Sequence, residues 1–557
     1  MSLLFRLTQL LVYHFWIVWL FGLAGILAVS IGIHRSGDWQ PFEPAAKSSR
    51  LQTACFGAFL VLYLGFMFWN EDFAWMDGHV FTDFSAIGIT RPPSVWPNVG
   101  RFWPMGYQEY NLISHVSKTA TAYLVFGAIQ LIAGLWFLYE AMPAKTPALR
   151  LSTLALLMLA PAFAADFAEL TYADRNVVFA VCVLVFCVSR YDREPALRWM
   201  IPPLVVSYWV LYDKETTTAL FGTFAAARML LKASRDGWRS ALRSPLEIGM
   251  IIGSACFAGQ LGIVLIQNAH YLTFGFVGRW TATGRYLTAD PLLAAFLIAF
   301  AIHVVQTLRR GAKLDPLWDA LALGGVLHFC AVAVTGLEED FLMGPTELIA
   351  ALTLVRLLPA FWSERARLRP ILAVAASVLA AVTVTFGTYR LIQRKVVVGQ
   401  TKKLADFLIS YSGREKARLY FRDDGGQVES FVSYLSYRGL PIRRAGAKPA
   451  GGVEVAGSEP FPGDLCVDFV DFVCKHDEPR PGDLLVHLAL EPWQPAAKEK
   501  SFQPLFESSP ASFFPSLRPV LSALHRLSPT LYGVFKGEPL PDDWLRVSVT
   551  TAQKLDR

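Results

Sequence analysis

Apolar runs approaching the roughly 20 residues that a helix needs to cross hydrocarbon recur from Leu10 to about Tyr389, and none of comparable length follows. A chain patterned this way places its first part in lipid and its last part in water. Composition agrees: 54% of the 557 residues are apolar and 17% charged, against about a quarter charged in soluble proteins. The first run, Leu10 to Ile33, is too long for the apolar core of a signal peptide, and no small-residue cleavage site follows it.

Run length, breaks and loop charge predict about twelve crossings, near 10–33, 51–69, 119–140, 151–167, 176–190, 199–212, 216–231, 246–268, 291–308, 316–336, 346–362 and 370–389. The expected fold is an all-α polytopic transmembrane domain over residues 1–392. Segments 176–190, 199–212 and 216–231 are short for a span, so tilted, broken or re-entrant helices are expected there. The loops alternate in charge. Those at 34–50, 141–150, 190–198, 232–244, 309–315 and 363–369 carry 18 Lys/Arg against 7 Asp/Glu. Those at 70–118, 166–175, 213–215, 269–290 and 337–345 carry 7 against 14. The positive-inside rule makes the first set cytoplasmic and the second external. It also puts the N-terminus and the tail outside. The net charge of +6 is thus spent on topology, and with no basic block interleaved with aromatics, nucleic acid is excluded as a partner.

The tail, 393–557, reads as a small soluble α/β domain. Ala417–Phe421 is an expected strand, Asp423-Asp424-Gly425-Gly426 a turn and Val428–Arg438 a helix. Strands are expected again at Leu440–Ile442 and Asp483–Leu490. Five cysteines (Cys55, Cys182, Cys187, Cys256 and Cys330) fall in apolar spans and read as packing residues. Cys466 and Cys474 are the pair in the tail, where an oxidising compartment would allow a disulfide. Metal-ligand spacing is absent, and no His pair stands at helical spacing near a carboxylate.

The chemistry sits in the external loops. Glu71-Asp72 opens the longest, where the second span leaves the bilayer, and a carboxylate fixed there suits a general base. An acidic pair at a helix end is also an ordinary polar terminus. Later loops bring cations against the positive-inside bias: "YADRN" with Asp174 and Arg175, "YDKE" with Lys214 and Glu215, and "GRWTATGRY" with Arg279 and Arg285. A phosphate would give such cations a purpose. Pairing with Asp174, Asp213 or Glu215 would serve equally. Trp75, Trp96 and Trp103 read as interfacial anchors at the membrane boundary.

With "NEDF" (Asn70–Phe73) opening the first long outer loop, an aromatic amphipathic stretch after it, "YADRN", "YDKE" and a soluble external tail, the chain resembles the GT-C fold glycosyltransferases. These are polytopic enzymes that take sugars from polyprenyl-phosphate carriers. The resemblance spans residues 45 to 557. It departs from the family in having Glu-Asp where relatives often have Asp-Asp or Asp-Glu, and in an additional helix before the acidic loop. It implies an inverting, metal-independent transfer in the inner membrane of a bacterium, with site and tail on the periplasmic side. Asp72 would be the base and Glu71 its alternate. Lys214, Arg175, Arg279 and Arg285 would meet the donor phosphate. Asp77, His79, Arg101, Tyr107, Glu109, Asp174 and Glu215 would bind substrate, with Trp75, Trp96 or Trp103 stacking on the sugar ring. The implied partners are a polyprenyl-phosphate-linked sugar, a glycan, lipid or protein acceptor, and membrane lipids. No cofactor is implied, and a divalent metal is left open. The competing readings are a ligase or polymerase using lipid-linked donors through outer arginines and His79, His115 or His270. A transporter would instead use intramembrane groups such as His303 and Arg356, and an envelope scaffold would use neither.

Overall fold

The computed structural model describes residues 13–34, 48–74, 78–96, 100–144, 146–170, 172–266, 276–311, 313–336, 340–364, 367, 369–412, 419–421, 425–440, 442–444, 453–455, 484–488, 502–508 and 547–552. The architecture is that of a multi-pass membrane protein. Helix α1 spans Phe15–Ile33 and α2 spans Arg50–Phe68. Helix α2 starts on a capping box, in which Ser49 Oγ accepts from the Gln52 amide at 3.2 Å and Gln52 Oε1 accepts from the Ser49 amide at 3.1 Å. The connection after α2 holds α3 (His79–Thr82), the hairpin β1 (Val95–Trp96) and β2 (Arg101–Phe102), and α4 (Gln108–Ile113). There follow α5 (Ala120–Ala141), α6 (Pro147–Met158), α7 (Pro161–Ala168), α8 (Asp174–Tyr191), α9 (Leu197–Leu211), α10 (Thr217–Asp236), α11 (Trp238–Ala241) and α12 (Pro245–Leu265). Then come α13 (Phe276–Ala289), α14 (Pro291–Arg309), α15 (Trp318–Thr335), α16 (Gly344–Glu364) and α17 (Arg369–Ser412).

Among the described residues, each expected crossing falls on a helix or, at 151–167, on a bent pair of helices. Among the described residues, 8 helices are long and apolar enough to cross a membrane, and 9 if the bent pair α6–α7 is one span. The segments that fall short do so for physical reasons. Helix α9 has only 15 residues and holds Pro202 and Pro203 inside it. Helix α8 carries Asp174, Arg175 and Arg190 at its ends and is buried over most of its length, while α10 carries Arg228, buried and paired with Asp192 and Glu247, and then Lys232, Arg235 and Asp236 toward its C-terminal end. Of the five span cysteines, Cys182 and Cys187 are buried, whereas Cys55, Cys256 and Cys330 lie on exposed helix faces instead of packing inside.

The 68° bend between α6 and α7 follows from Pro161, which has no amide hydrogen to continue the ladder. The freed donors are recaptured: Glu347 Oε1 accepts from the Ala162 amide at 2.8 Å and Oε2 from the Phe163 amide at 2.7 Å. Helix α17 crosses this bend so closely that a Cβ on Gly387 would stand 1.8 Å from the Leu159 carbonyl oxygen. Only glycine fits there.

Helix α17 has 44 residues and is about 66 Å long, twice what a bilayer needs. It continues past the expected domain boundary at 392–393, with Val396, Val397, Val398, Leu404, Ala405 and Leu408 buried. The tail then forms β3 (Leu419–Phe421), α18 (Gly425–Tyr437), β4 (Ile442–Arg444), β5 (Val453–Val455), β6 (Leu484–His487), β7 (Phe502–Ser508) and β8 (Val547–Ala552). Its sheet has the order β4-β5-β3-β6-β8-β7. The first four are mutually parallel and the last two pair antiparallel. Cys466 and Cys474 lie outside the described residues.

Candidate functional site

Helices α8, α9 and α10 run back and forth between the two ends of the bundle. Asp174, Tyr212 and Thr217 are therefore at one end, and Tyr191, Leu197 and Asp236 at the other. The first end gathers the charged residues of the connection after α2, the turn before α8, the turn between α9 and α10, and the upper half of α17.

The acidic connection is held by aromatic packing. Phe81 lies edge-on to Tyr110 at 4.8 Å between centroids, Tyr110 meets Tyr123 at 4.9 Å, and Phe73 stacks on Phe81 at 5.4 Å. The hairpin is pinned to the α9–α10 turn: Arg101 Nε donates to Glu215 Oε1 at 3.0 Å, the Phe102 amide donates to the same oxygen at 3.2 Å, and the Met105 amide donates to the Tyr212 carbonyl at 2.9 Å. Asn70 (φ 54°) and Tyr107 (φ 66°) are the non-glycine residues with positive φ among those described. Asparagine tolerates that region, and a tyrosine held in it stores strain. They stand immediately before Glu71 and two residues before Glu109.

Glu71 is ion-paired with Lys395, and the two side chains are 5% and 1% exposed. Burial is the larger influence on this carboxyl and pushes it up to about 7, against the pull of Lys395. Asp72 is more open, at 16%, and lies 3.3 Å from Lys402, itself 44% exposed. Asp72 Oδ1 accepts from the Phe73 amide at 2.8 Å, and Oδ2 accepts from the Tyr434 hydroxyl at 2.9 Å. Lys395 and Lys402 are seven residues apart and so share one face of α17. Beyond Glu71, Glu169 faces Arg394 at 3.4 Å, and burial likewise pushes its carboxyl up to about 7. Arg394 Nη1 donates to the Tyr172 hydroxyl at 2.8 Å, and the Tyr172 ring stacks on Phe341 at 3.8 Å.

Arg175 joins this group to the next. It is fully buried, donates through Nη2 to the Tyr110 hydroxyl, and attracts both Glu71 and Glu109. Its Nε and Nη1 have no hydrogen-bond partner among the described residues. Asn176 Nδ2 donates to Glu109 Oε1 and to Asp213 Oδ2, both at 2.9 Å, while Gln130 Nε2 donates to Asn176 Oδ1 at 2.9 Å. Burial raises the carboxyls of Glu109 and Asp213, and their mutual repulsion raises Asp213 further. Lys214 bonds Asp174 at 2.9 Å and sits 5.3 Å from the Phe341 ring centroid. Glu215 differs from its neighbours: burial would raise it, but Arg101, backbone amides and Lys214 together hold it below the usual carboxylate range.

Glu71, Asp72, Arg101, Tyr107, Glu109, Asp174, Arg175, Lys214 and Glu215 therefore converge on one end, as the loop pattern predicts. The cations are not idle there, since Lys214 is paired with Asp174 and Arg101 with Glu215. His79 is turned to the tail, with Nδ1 3.0 Å from Ser430 Oγ. Arg279 and Arg285 lie on α13, which packs on α14 and α15. Asp77, Trp75 and His270 lie outside the described residues. Arg394, Lys395, Lys402 and Tyr434 were not foreseen as site residues. The hydropathy signal ends near Tyr389, and only the helical spacing of the apolar residues after it reveals that α17 continues. No family model matches the sequence, and no curated protein matches it.

Proposed function

We propose that the chain is an integral membrane glycosyltransferase of the GT-C kind, moving a sugar from a polyprenyl-phosphate donor to a hydroxyl acceptor at the acidic end of the bundle. The charge balance of the loops assigns that end to the outer face. One observation carries the reading. Glu71-Asp72, Arg175, Lys214 and the cations of α17 come from four separate chain segments and meet in one charged network at a membrane boundary, where each ion is costly without a function or a partner. Asp72 is the base: it is the more accessible acid, whereas Glu71 is shut in its pair with Lys395. The acceptor O–H would pass its proton to Asp72 as its oxygen bonds to the anomeric carbon. The bond from that carbon to the phosphate oxygen breaks with inversion, and the electron pair stays on the phosphate. Lys214, Arg175 and Arg394 would stabilise that anion electrostatically, Lys214 exchanging Asp174 for phosphate. The same residues fit a transporter less well, because the charges crowd one end and not the midplane.

The test is release of polyprenyl phosphate by the reconstituted full-length protein, over a panel of polyprenyl-phosphate sugars. Asp72→Asn should lower turnover by about two to four orders of magnitude, with melting temperature unchanged. Full activity in that variant would refute the assignment of the base. No turnover of any donor by the wild-type protein would refute the enzyme class.

A further inference from the structure

The end of the bundle opposite Glu71 and Asp72 holds a cavity of about 1240 Å³. Its walls come from the ends of α1, α5, α8, α10, α12 and α15 and from the short helix α11. Charged residues of both signs line it, but their commitments differ. Glu140 is paired with Arg190 at 3.2 Å, and Asp192 is paired with Arg228. Asp315 Oδ1 accepts from the Leu317 and Trp318 amides at 2.9 and 2.8 Å, capping α15. Arg235, Arg239 and Arg243 line the same cavity, are exposed, and make no hydrogen bond or ion pair among the described residues. Three uncommitted cations thus face one uncommitted acid, Asp236.

The segment bearing these arginines is built for a lipid boundary. Gly237, at φ +83°, turns the chain out of α10 into α11. Between the arginines, Trp238 and Leu242 remain 55% and 58% exposed. An exposed tryptophan and leucine beside arginines is the residue pattern of an interfacial anchor, whose apolar groups sit at acyl-chain depth and whose guanidinium groups sit at head-group depth. A soluble anion would explain the arginines but would leave Trp238 and Leu242 without a purpose.

We propose that this basin binds the phosphate of an anionic membrane lipid, held by Arg235, Arg239 and Arg243 through charge-assisted hydrogen bonds. The site is distinct from the acidic end, separated from it by the length of α8, 18 residues or about 27 Å. It stands whether or not the transferase reading holds.

The experiment is native mass spectrometry of the delipidated full-length protein titrated with phosphatidylglycerol or phosphatidylcholine, and separately with inorganic phosphate or pyrophosphate as competitors. The wild type should retain phosphatidylglycerol in preference to phosphatidylcholine. Each arginine lost should weaken retention about fivefold, and the triple variant R235Q/R239Q/R243Q about a hundredfold. Arg309→Gln removes a cation from the same end but outside the cavity, and should bind like the wild type. The charge-keeping variant R235K/R239K/R243K should regain most of the retention, which separates lost charge from lost fold. Equal retention of the two lipids, or undiminished retention in the triple Gln variant, would overturn the proposal. So would tight binding of pyrophosphate to the basin with no lipid preference, since the ligand would then be soluble.

Discussion

The Tyr434 hydroxyl donates to Asp72 Oδ2 at 2.9 Å across a sequence separation of 362 residues, so the tail domain lies directly on the acid proposed as base. The contact is one of a set along α18. Ser430 meets His79, and Ser433 Oγ is 2.5 Å from Thr82 Oγ1 while also donating to Asp83. The tail is therefore part of the site's wall. Tyr434→Phe removes the hydrogen bond to the Asp72 carboxylate and the one accepted from Arg438 Nη1 at 2.7 Å, each worth about 1.5–3 kcal/mol because its partner is charged, and leaves the ring packing in place. Amide exchange in residues 428–437 should quicken, and turnover should fall about tenfold, less than for Asp72→Asn. Unchanged exchange would mean that the hydroxyl does not hold the helix down.

The Glu71–Lys395 pair makes a prediction of a different kind. Both side chains are almost fully buried, so removing one partner strands the other in a medium that solvates it poorly. Glu71→Leu, which leaves the Lys395 ammonium buried without its partner, should destabilise the protein by about 3–5 kcal/mol, read as a drop in melting temperature in detergent. The double variant Glu71→Leu/Lys395→Met removes both charges and should recover most of that loss. If the double variant is as unstable as the sum of its parts, the two residues are not coupled as described.

Much of this site was legible in the sequence, for an identifiable reason. Charges that violate loop bias, such as Arg175 and Lys214, stand out against an apolar background, and loops on one side of a membrane can only meet one another. The partners supplied by α17 were hidden because hydropathy measures solvent, not helix. Lys395 and Lys402 read as the start of a soluble tail, although Val398 and Ala405 keep the helical spacing between them. Asp213 and Asn176 were visible only as neighbours of louder residues, and their shared hydrogen bond needs the fold. Lys214 stood out by its charge, but its pairing with Asp174 across 40 residues could not be separated in advance from phosphate binding.

Proton linkage follows from the buried acids. Glu71 and Glu169 are each raised from the ordinary carboxylate range to about 7, so folding takes up protons between that range and pH 7. The native state then holds more protons than the unfolded one, and stability must fall as pH rises through this window. Their contribution is fully present below about pH 4.5 and lost above 7. Each group adds a slope of up to about 1.4 kcal/mol per pH unit. Glu71→Gln and Glu169→Gln, which mimic the protonated form, should flatten the dependence of melting temperature on pH between 5 and 8. A wild-type melting temperature that rises across that range would contradict the sign.

Sidedness is the last consequence, and it separates the two charged ends. Val116, 89% exposed, follows the acidic connection, and Ser240 is exposed beside the arginines of the opposite cavity. Helices α8, α9 and α10 run between those ends, so a label that reaches one site from outside the cell must be barred from the other by the bilayer. The loop charges predict Val116 outside and Ser240 inside. In a background with the native cysteines replaced, Val116→Cys should react with a membrane-impermeant maleimide in intact cells, and Ser240→Cys should react only after permeabilisation. The opposite pattern would invert the topology and place the proposed base in the cytoplasm, where the carrier-linked donor would have to be used from the inner leaflet. Labelling of both sites in intact cells would show that the bundle does not separate them by a membrane at all.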